Sequence, residues 1–204
     1  MIGSQEVELG YGWNYADVLE PFTKGSIGPV DLADHIVASY QKSYERITND
    51  YTLSAINLDA EKYLEENINE VAKLLIKGLQ SQYARSVKNA IRASRNGYVC
   101  THFDEPSYID LHHFYTNLLA NIDRMRLRNS QQERTWKNEL KETLEAGIRM
   151  VGYTVFANTT GESLPKAQGI SIYFPEASIY PSYKTTPFAQ DNNWTVFLSE
   201  YLAA

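Results

Sequence analysis

The sequence holds one cysteine, Cys100, in 204 residues, so no disulfide can form within the chain. That count argues neither for nor against an oxidising compartment. No run approaches the ~18 apolar residues of a membrane span. The opening MIGSQEVELG has neither the basic nor the apolar stretch of a secretion signal. Positive charge is scarce as well: 19 Lys and Arg stand against 25 Asp and Glu, a net −6. This argues against nucleic acid as the main ligand, because phosphate backbones call for clustered cations. The one basic stretch, Arg85 to Arg95, is spaced through a helical pattern and reads as a solvated face. Neither GxGxxG nor a P-loop lysine motif occurs, no serine sits in a GxSxG elbow, and HExxH spacing is missing.

What is present is an ordinary globular balance, 43% hydrophobic and 22% charged, with an unusual 15 tyrosines. Such a chain can bury a real core. Tyrosine brings a large apolar ring and a hydroxyl that wants a partner, which suits a packed interior with polar edges or a binding surface. Ile2 to Val7 reads as a strand that begins in mid-fold, and Gly10, Gly12 and Trp13-Asn14-Tyr15 as a turn before a short helix at Tyr15 to Phe22. Gly28-Pro29 opens a long helix with Asp31 in its first turn. Residues 51–56 alternate as a strand, and Asn57 caps a helix to about Gln80. Further helices are expected at Ser81 to Arg95, ending on Asn96-Gly97, after Pro106-Ser107, and at Ser130 to Ala146, polar enough for the surface and ending at Gly147. Strands at Met150 to Ala157 and Gly169 to Phe174 and a last helix after Asn192 or Asn193 complete the pattern. Strands interleaved with helices predict an α/β fold. Four scattered strands make a thin sheet with edges a protein normally covers, as though further strands belonged beside the first.

Few residues point to chemistry. Cys100 stands two residues from His102, yet an extended segment does not align a thiol and a ring nitrogen at that spacing, and a lone Cys in an apolar run packs as a small hydrophobe. His112 and His113 diverge by about 100° on a helix and do not share one metal simply. Asp104 and Glu105 add only a weak cluster near a helix start, where Asp104 or Ser107 would cap and Asp110 would fall in the first turn. The residues themselves give no catalytic set, no metal site and no cofactor site.

Four segments carry a resemblance. GSQEVELGYGWNYADVL, DLADHIVASYQKSY with YTLSAINL, YIDLHHFYTNLL, and AQGISIYFPEASIYPSYKTTPFAQDNNWTVFLSEYL follow in the order of the clostripain family of cysteine peptidases, over nearly the whole chain. The resemblance implies a partial caspase-like α/β/α sandwich, residues 1–57 and 148–204, with an added helical subdomain at 58–147. It implies an endopeptidase cutting after Arg or Lys through a cysteine thiolate and a histidine. Both of those residues precede the segment matched by residues 2–7, so the dyad is expected upstream of residue 1 and the chain is expected to be inactive alone. Its implied partners are the upstream catalytic half and a peptide or protein substrate with a basic residue, in an exported bacterial protein. Ser4, Gln5 and Glu6 occupy the strand that lines the substrate channel, and Trp13, Asn14 and Asp17 the turn bordering the specificity pocket. Glu6 and Asp17 are acidic candidates for a basic side chain. The competing expectation is a non-catalytic peptide- or protein-binding module on a degenerate peptidase scaffold.

Overall fold

Helix starts follow local chemistry. Asn57 accepts from the Asp59 amide, and Ser130 and Glu133 form a reciprocal capping box. The computed structural model describes residues 1–126 and 130–203. In chain order the elements are β1 (Ile2–Gly3), α1 (Tyr15–Leu19), α2 (Pro29–Tyr44), β2 (Thr52–Ile56), α3 (Leu58–Leu79), α4 (Ala84–Arg95) and β3 (Tyr108–Asp110). There follow α5 (Leu111–Arg124), α6 (Gln131–Thr154), β4 (Val155–Thr160), β5 (Ser171–Tyr173), α7 (Pro187–Asp191) and α8 (Trp194–Ala203). Single 3-10 turns lie at Glu20–Thr23 and Tyr183–Thr185. The fold is mixed α/β. Its three-stranded sheet runs β1-β2-β4 and its two-stranded sheet β3-β5, and every pairing is antiparallel.

Two cores sit on these sheets. The larger joins α3 to α6, β5 and α8. Phe174, fully buried, is its aromatic hub: Phe114, Trp194, Phe197 and Tyr201 meet its ring edge-on at 5.3–5.7 Å. Trp194 also donates to Tyr173 O at 2.7 Å. The smaller core sets Tyr40 and Tyr44 of α2, with Tyr51, against Leu53 and Ala55 of β2. The opposite face of β2 is polar yet buried, with Thr52 and Ser54 fully enclosed. Ser54 donates to Asn158 Oδ1 at 3.0 Å, and Asn158 donates to Ala167 O at 2.9 Å, which holds the 161–170 loop over this face. Gly169 closes the loop at φ 93°, where a Cβ would strike Val155 and the Ser54 hydroxyl.

Several sequence expectations shift. The strand expected at Ile2 to Val7 ends at Gly3, because the next residues turn onto a side chain of β2, as described below. The helix expected to stop at Gly147 runs on to Thr154, so the following strand starts at Val155 rather than Met150. That helix is not a surface element either: Trp136, Leu140, Leu144 and Val151 are buried against α3 and α5. Gly147 is a contact residue, not a terminator. Asn96 ends α4 with extended backbone rather than a left-handed cap. Ile109 lies in β3, and Asp110 is itself the N-cap of α5.

The two glycines of α6 predict opposite outcomes. At Gly152 a Cβ meets nothing within 4 Å, whereas at Gly147 it would collide with Asn67 Oδ1 and the Tyr115 ring. Gly152→Ala is expected to raise the unfolding free energy by up to ~1 kcal/mol through helix propensity. Gly147→Ala is expected to lower it by about 1–3 kcal/mol through overpacking. Urea melts of the two variants check both signs, and a stabilised Gly147→Ala would refute the close packing of α3, α5 and α6.

Candidate functional site

Beyond Gly3 the chain wraps one hydroxyl. Thr52 Oγ1 accepts from the amides of Gln5 and Glu6, each at 2.9 Å, and lies 2.9 Å from Ser4 Oγ. Ser4 Oγ donates to Thr52 O at 2.7 Å, so the Thr52 hydroxyl is left to donate back to Ser4 Oγ. Two backbone donors that a longer strand would use in its ladder thus end on a side chain. Register pairs Ile2 with Ala55, and Met1 exchanges both its hydrogen bonds with Ile56. By the antiparallel alternation, the N–H and C=O of Ile2 point away from β2, toward the open edge of the sheet.

Gln5 then reaches the most buried carboxylate of the region. Its Nε2 donates to Asp110 Oδ2 at 2.9 Å, and its Oε1 accepts from Gly169 N at 2.8 Å. Asp110 is fully buried and also accepts from Gln168 N at 2.6 Å and His113 N at 2.7 Å. Burial pushes its pKa up, and the donors from Gln168, Gln5 and His113 oppose that. One carboxylate thereby joins the segment after β1, the 161–170 loop and the start of α5. Glu6 is tied down as well: both its oxygens accept from Asp104 N at 3.0 Å, and one accepts from Val7 N at 2.7 Å.

The turn residues lie apart from this hub. Tyr44 donates to Gly12 O at 2.7 Å, Gly12 sits at φ 65°, and Trp13 packs on the α2 core while donating to Glu8 at 2.6 Å. Asn14 caps α1, accepting from Asp17 N. Asp17 pairs with Lys42 at 3.1 Å, so a guanidinium arriving there would meet a carboxylate already engaged. The structure brings Ser4, Gln5 and Glu6 together around Thr52 and Asp110, and sets Trp13, Asn14 and Asp17 on the α1–α2 side.

Cys100 and His113 share a cleft of ~560 Å³ with His102, Asn117 and Lys166. They do not form a dyad. The thiol's one polar contact is Thr101 O at 3.9 Å, and burial, reinforced by the Asp110 charge, pushes its pKa up to about 12. His113 Nδ1 accepts from Thr101 N at 3.1 Å, which places the ring proton on Nε2. Burial first, then Lys166 and His112, lowers its pKa. Both ring nitrogens of His102 face carbonyl oxygens, Arg95 O at 2.6 Å and Pro106 O at 3.3 Å. Among the described residues no three His, Cys, Asp or Glu side chains are grouped to hold a metal ion. No helix of the described residues is long and apolar enough to cross a membrane.

A comparison with family models decides what this frame belongs to: the model of the clostripain family matches residues 1–201. The chain belongs to the clostripain family. Its function is therefore peptidase-related, of the cysteine peptidase type. No curated protein matches the sequence. The hub residues Thr52, Asp110, Gln168 and Gly169 all lie in the segments that carry the resemblance, but nothing in the sequence marked them as partners of one another. The one local sign was Asp110 placed in the first turn of a helix, where it reads as an ordinary first-turn acid.

Two measurements test this site. Thr52→Val keeps the shape and strands the Gln5 and Glu6 amides, so stability should fall by about 1–3 kcal/mol. Amide exchange at both positions should accelerate, and unchanged exchange would refute the wrap. The Cys100 thiol should resist a disulfide reagent at about pH 8 in the native chain and react at once in denaturant, because the thiolate is the reactive form. Rapid native labelling would contradict its burial.

Proposed function

We propose that this chain is the downstream portion of a clostripain-like cysteine endopeptidase that cuts after Arg or Lys. The histidine and cysteine stand upstream of residue 1, and the chain is inactive without them. The observation that carries the reading is the open edge at β1. There Ile2 offers an unpaired N–H and C=O, and the following Ser4–Glu6 segment is held rigid by Thr52 and Asp110. A further strand bearing the nucleophile fits beside that edge, which makes the two small sheets part of a caspase-like α/β/α sandwich.

In this reading Ser4, Gln5 and Glu6 line the substrate channel, with Trp13, Asn14 and Asp17 bordering it. The Gln5 and Glu6 amides are occupied by Thr52, so an extended peptide would find the carbonyl oxygens of this segment rather than those donors. Glu6 acts as a strut to Asp104 as much as a charge, and a basic side chain reaching Asp17 must displace Lys42. The lack of a thiol–imidazole pair around Cys100 accords with a nucleophile located elsewhere. A peptide-binding module without catalysis would use the same edge, and an upstream reading frame lacking strands that end in His and Cys would favour it.

The chain alone is expected to show no hydrolysis of Arg or Lys peptide reporters. Joined to the upstream His- and Cys-bearing half, it should cleave them, and the Cys→Ala form of that half should not. A joined, folded protein that stays inactive after any self-processing would overturn the peptidase reading.

A further inference from the structure

A groove of ~580 Å³ runs between α3 and α6 on the helical body. Half-buried Leu74, Ala146 and Met150 form its apolar floor. Exposed Glu66 and Glu70 of α3 stand along one rim, and Glu139 and Glu142 of α6 along the other. The pattern follows from helix geometry, because positions three and four apart share one face. Glu70 is met by Lys73 at 2.7 Å and Glu139 by Lys77 at 3.9 Å. Among the described residues Glu66 and Glu142 take part in no ion pair.

The chain carries the complement on another helix. Val87, Ala90 and Ile91 of α4 are buried in the core, which turns Arg85 and Arg92 outward, with Lys88 half-buried between them. Among the described residues none of these three cations pairs with an acid. Arg92 donates to Asn89 at 3.3 Å, and the Lys88 ammonium lies 5.6 Å from the Tyr201 ring centre. Ser86, Asn89 and Ala93 share the exposed side, and side chains that short let the helix settle onto a shallow floor. The lengths also agree. Helix α4 has 12 residues, ~18 Å, and the groove covers ~17 Å of α3 from Tyr63 to Leu74. Within one chain α4 is packed against α3 and α5, so it cannot enter the groove itself.

We propose that this groove docks α4 of a second copy, so that chains associate head to tail through two unlike surfaces. Arg85 and Arg92 of one copy reach Glu66 and Glu142 of the next, and their aliphatic stems cover the Leu74 and Met150 floor. Each contact leaves one groove and one α4 free, so assembly continues past two chains unless the rotation closes a ring. A single helix in a groove buries less than a standard interface, and exposed ion pairs each add little, which makes the association weak and reversible. Neither surface includes the β1 edge, the Ser4–Glu6 segment or the Cys100 cleft. The inference therefore stands or falls apart from the peptidase reading.

Sedimentation velocity of the chain across a concentration series tests the proposal. The average mass should rise with concentration and pass that of two chains. Going from physiological salt to ~1 M shortens the screening length from ~8 to ~3 Å. Repulsion between the net-negative copies is already screened at the start, so what is lost is the contact attraction, and association should weaken by about tenfold. The double reversal Arg85→Glu with Arg92→Glu should abolish it, as should Glu66→Lys with Glu142→Lys. Mixing the two reversed proteins should restore it, because each reversed face then meets its complement, a result that damage to the fold cannot produce. If circular dichroism shows either reversal to disturb folding, the neutral pair Arg85→Gln with Arg92→Gln takes its place and should weaken association by about tenfold. A chain that stays monomeric at every concentration overturns the proposal. So does association that survives the substitutions, which would place the contact at the β1 edge, or a mixture of reversed proteins that stays apart.

Discussion

A buried carboxylate must be satisfied, and Asp110 sets much of the site's geometry through that demand. An ionised group without donors in a protein interior is costly enough that it would neutralise or drag the structure open. Asp110 avoids this by gathering one donor from each of three separated segments: Gln5 after β1, Gln168 at the end of the loop, and His113 in α5. These residues lie far apart in sequence and belong to different elements. The carboxylate therefore works as a fastener between the N-terminal segment and the helical body, and it holds the Ser4–Glu6 segment where a substrate strand would be read.

Around that fastener the structure distributes polar groups with care for the backbone. Thr52 keeps its ladder pairing with Thr160 while its hydroxyl takes the Gln5 and Glu6 amides. The polar face of β2 is then roofed by a loop whose Asn158 and Gly169 contacts leave no room for a Cβ at residue 169. These contacts cover one face of a sheet of few strands. The other face is made conventionally, by packing tyrosines of α2 on Leu53 and Ala55. One side of the sheet is held by hydrogen bonds and the other by apolar burial. Only β1 among its strands offers backbone groups beside the candidate substrate segment.

The tyrosines divide by role. Tyr40, Tyr44 and Tyr51 cluster at 4.5–6.4 Å beneath the sheet, where they supply apolar area. Tyr108, Tyr173 and Tyr183 cluster where the β3–β5 pair meets the 183–185 turn, with Glu61 and Glu65 nearby. Composition alone could not tell packing from binding, because the same side chain serves both, and only the neighbours separate them.

Much of the architecture was legible in the chain. Helical periodicity at 58–79, the Asn57 cap, the Pro29 start, and the alternating 51–56 segment reflect forces acting within a few residues, and these elements stand where they were expected. Motif order also carried the family, since four weak segments in sequence are jointly specific. Other features were decided by the tertiary structure. Helix α6 passes through Gly147 because Asn67 and Tyr115 occupy the space where a side chain would be, a contact between distant residues. Strand β1 ends at Gly3 because Thr52, some fifty residues on, draws the next amides away from the ladder. Asp110 reads locally as a helix cap, which the His113 amide satisfies, and becomes a hub only when burial removes its water and two remote donors, Gln5 and Gln168, replace it. Local propensity is written in neighbouring residues, whereas burial and long-range hydrogen bonds exist only once the chain has closed on itself.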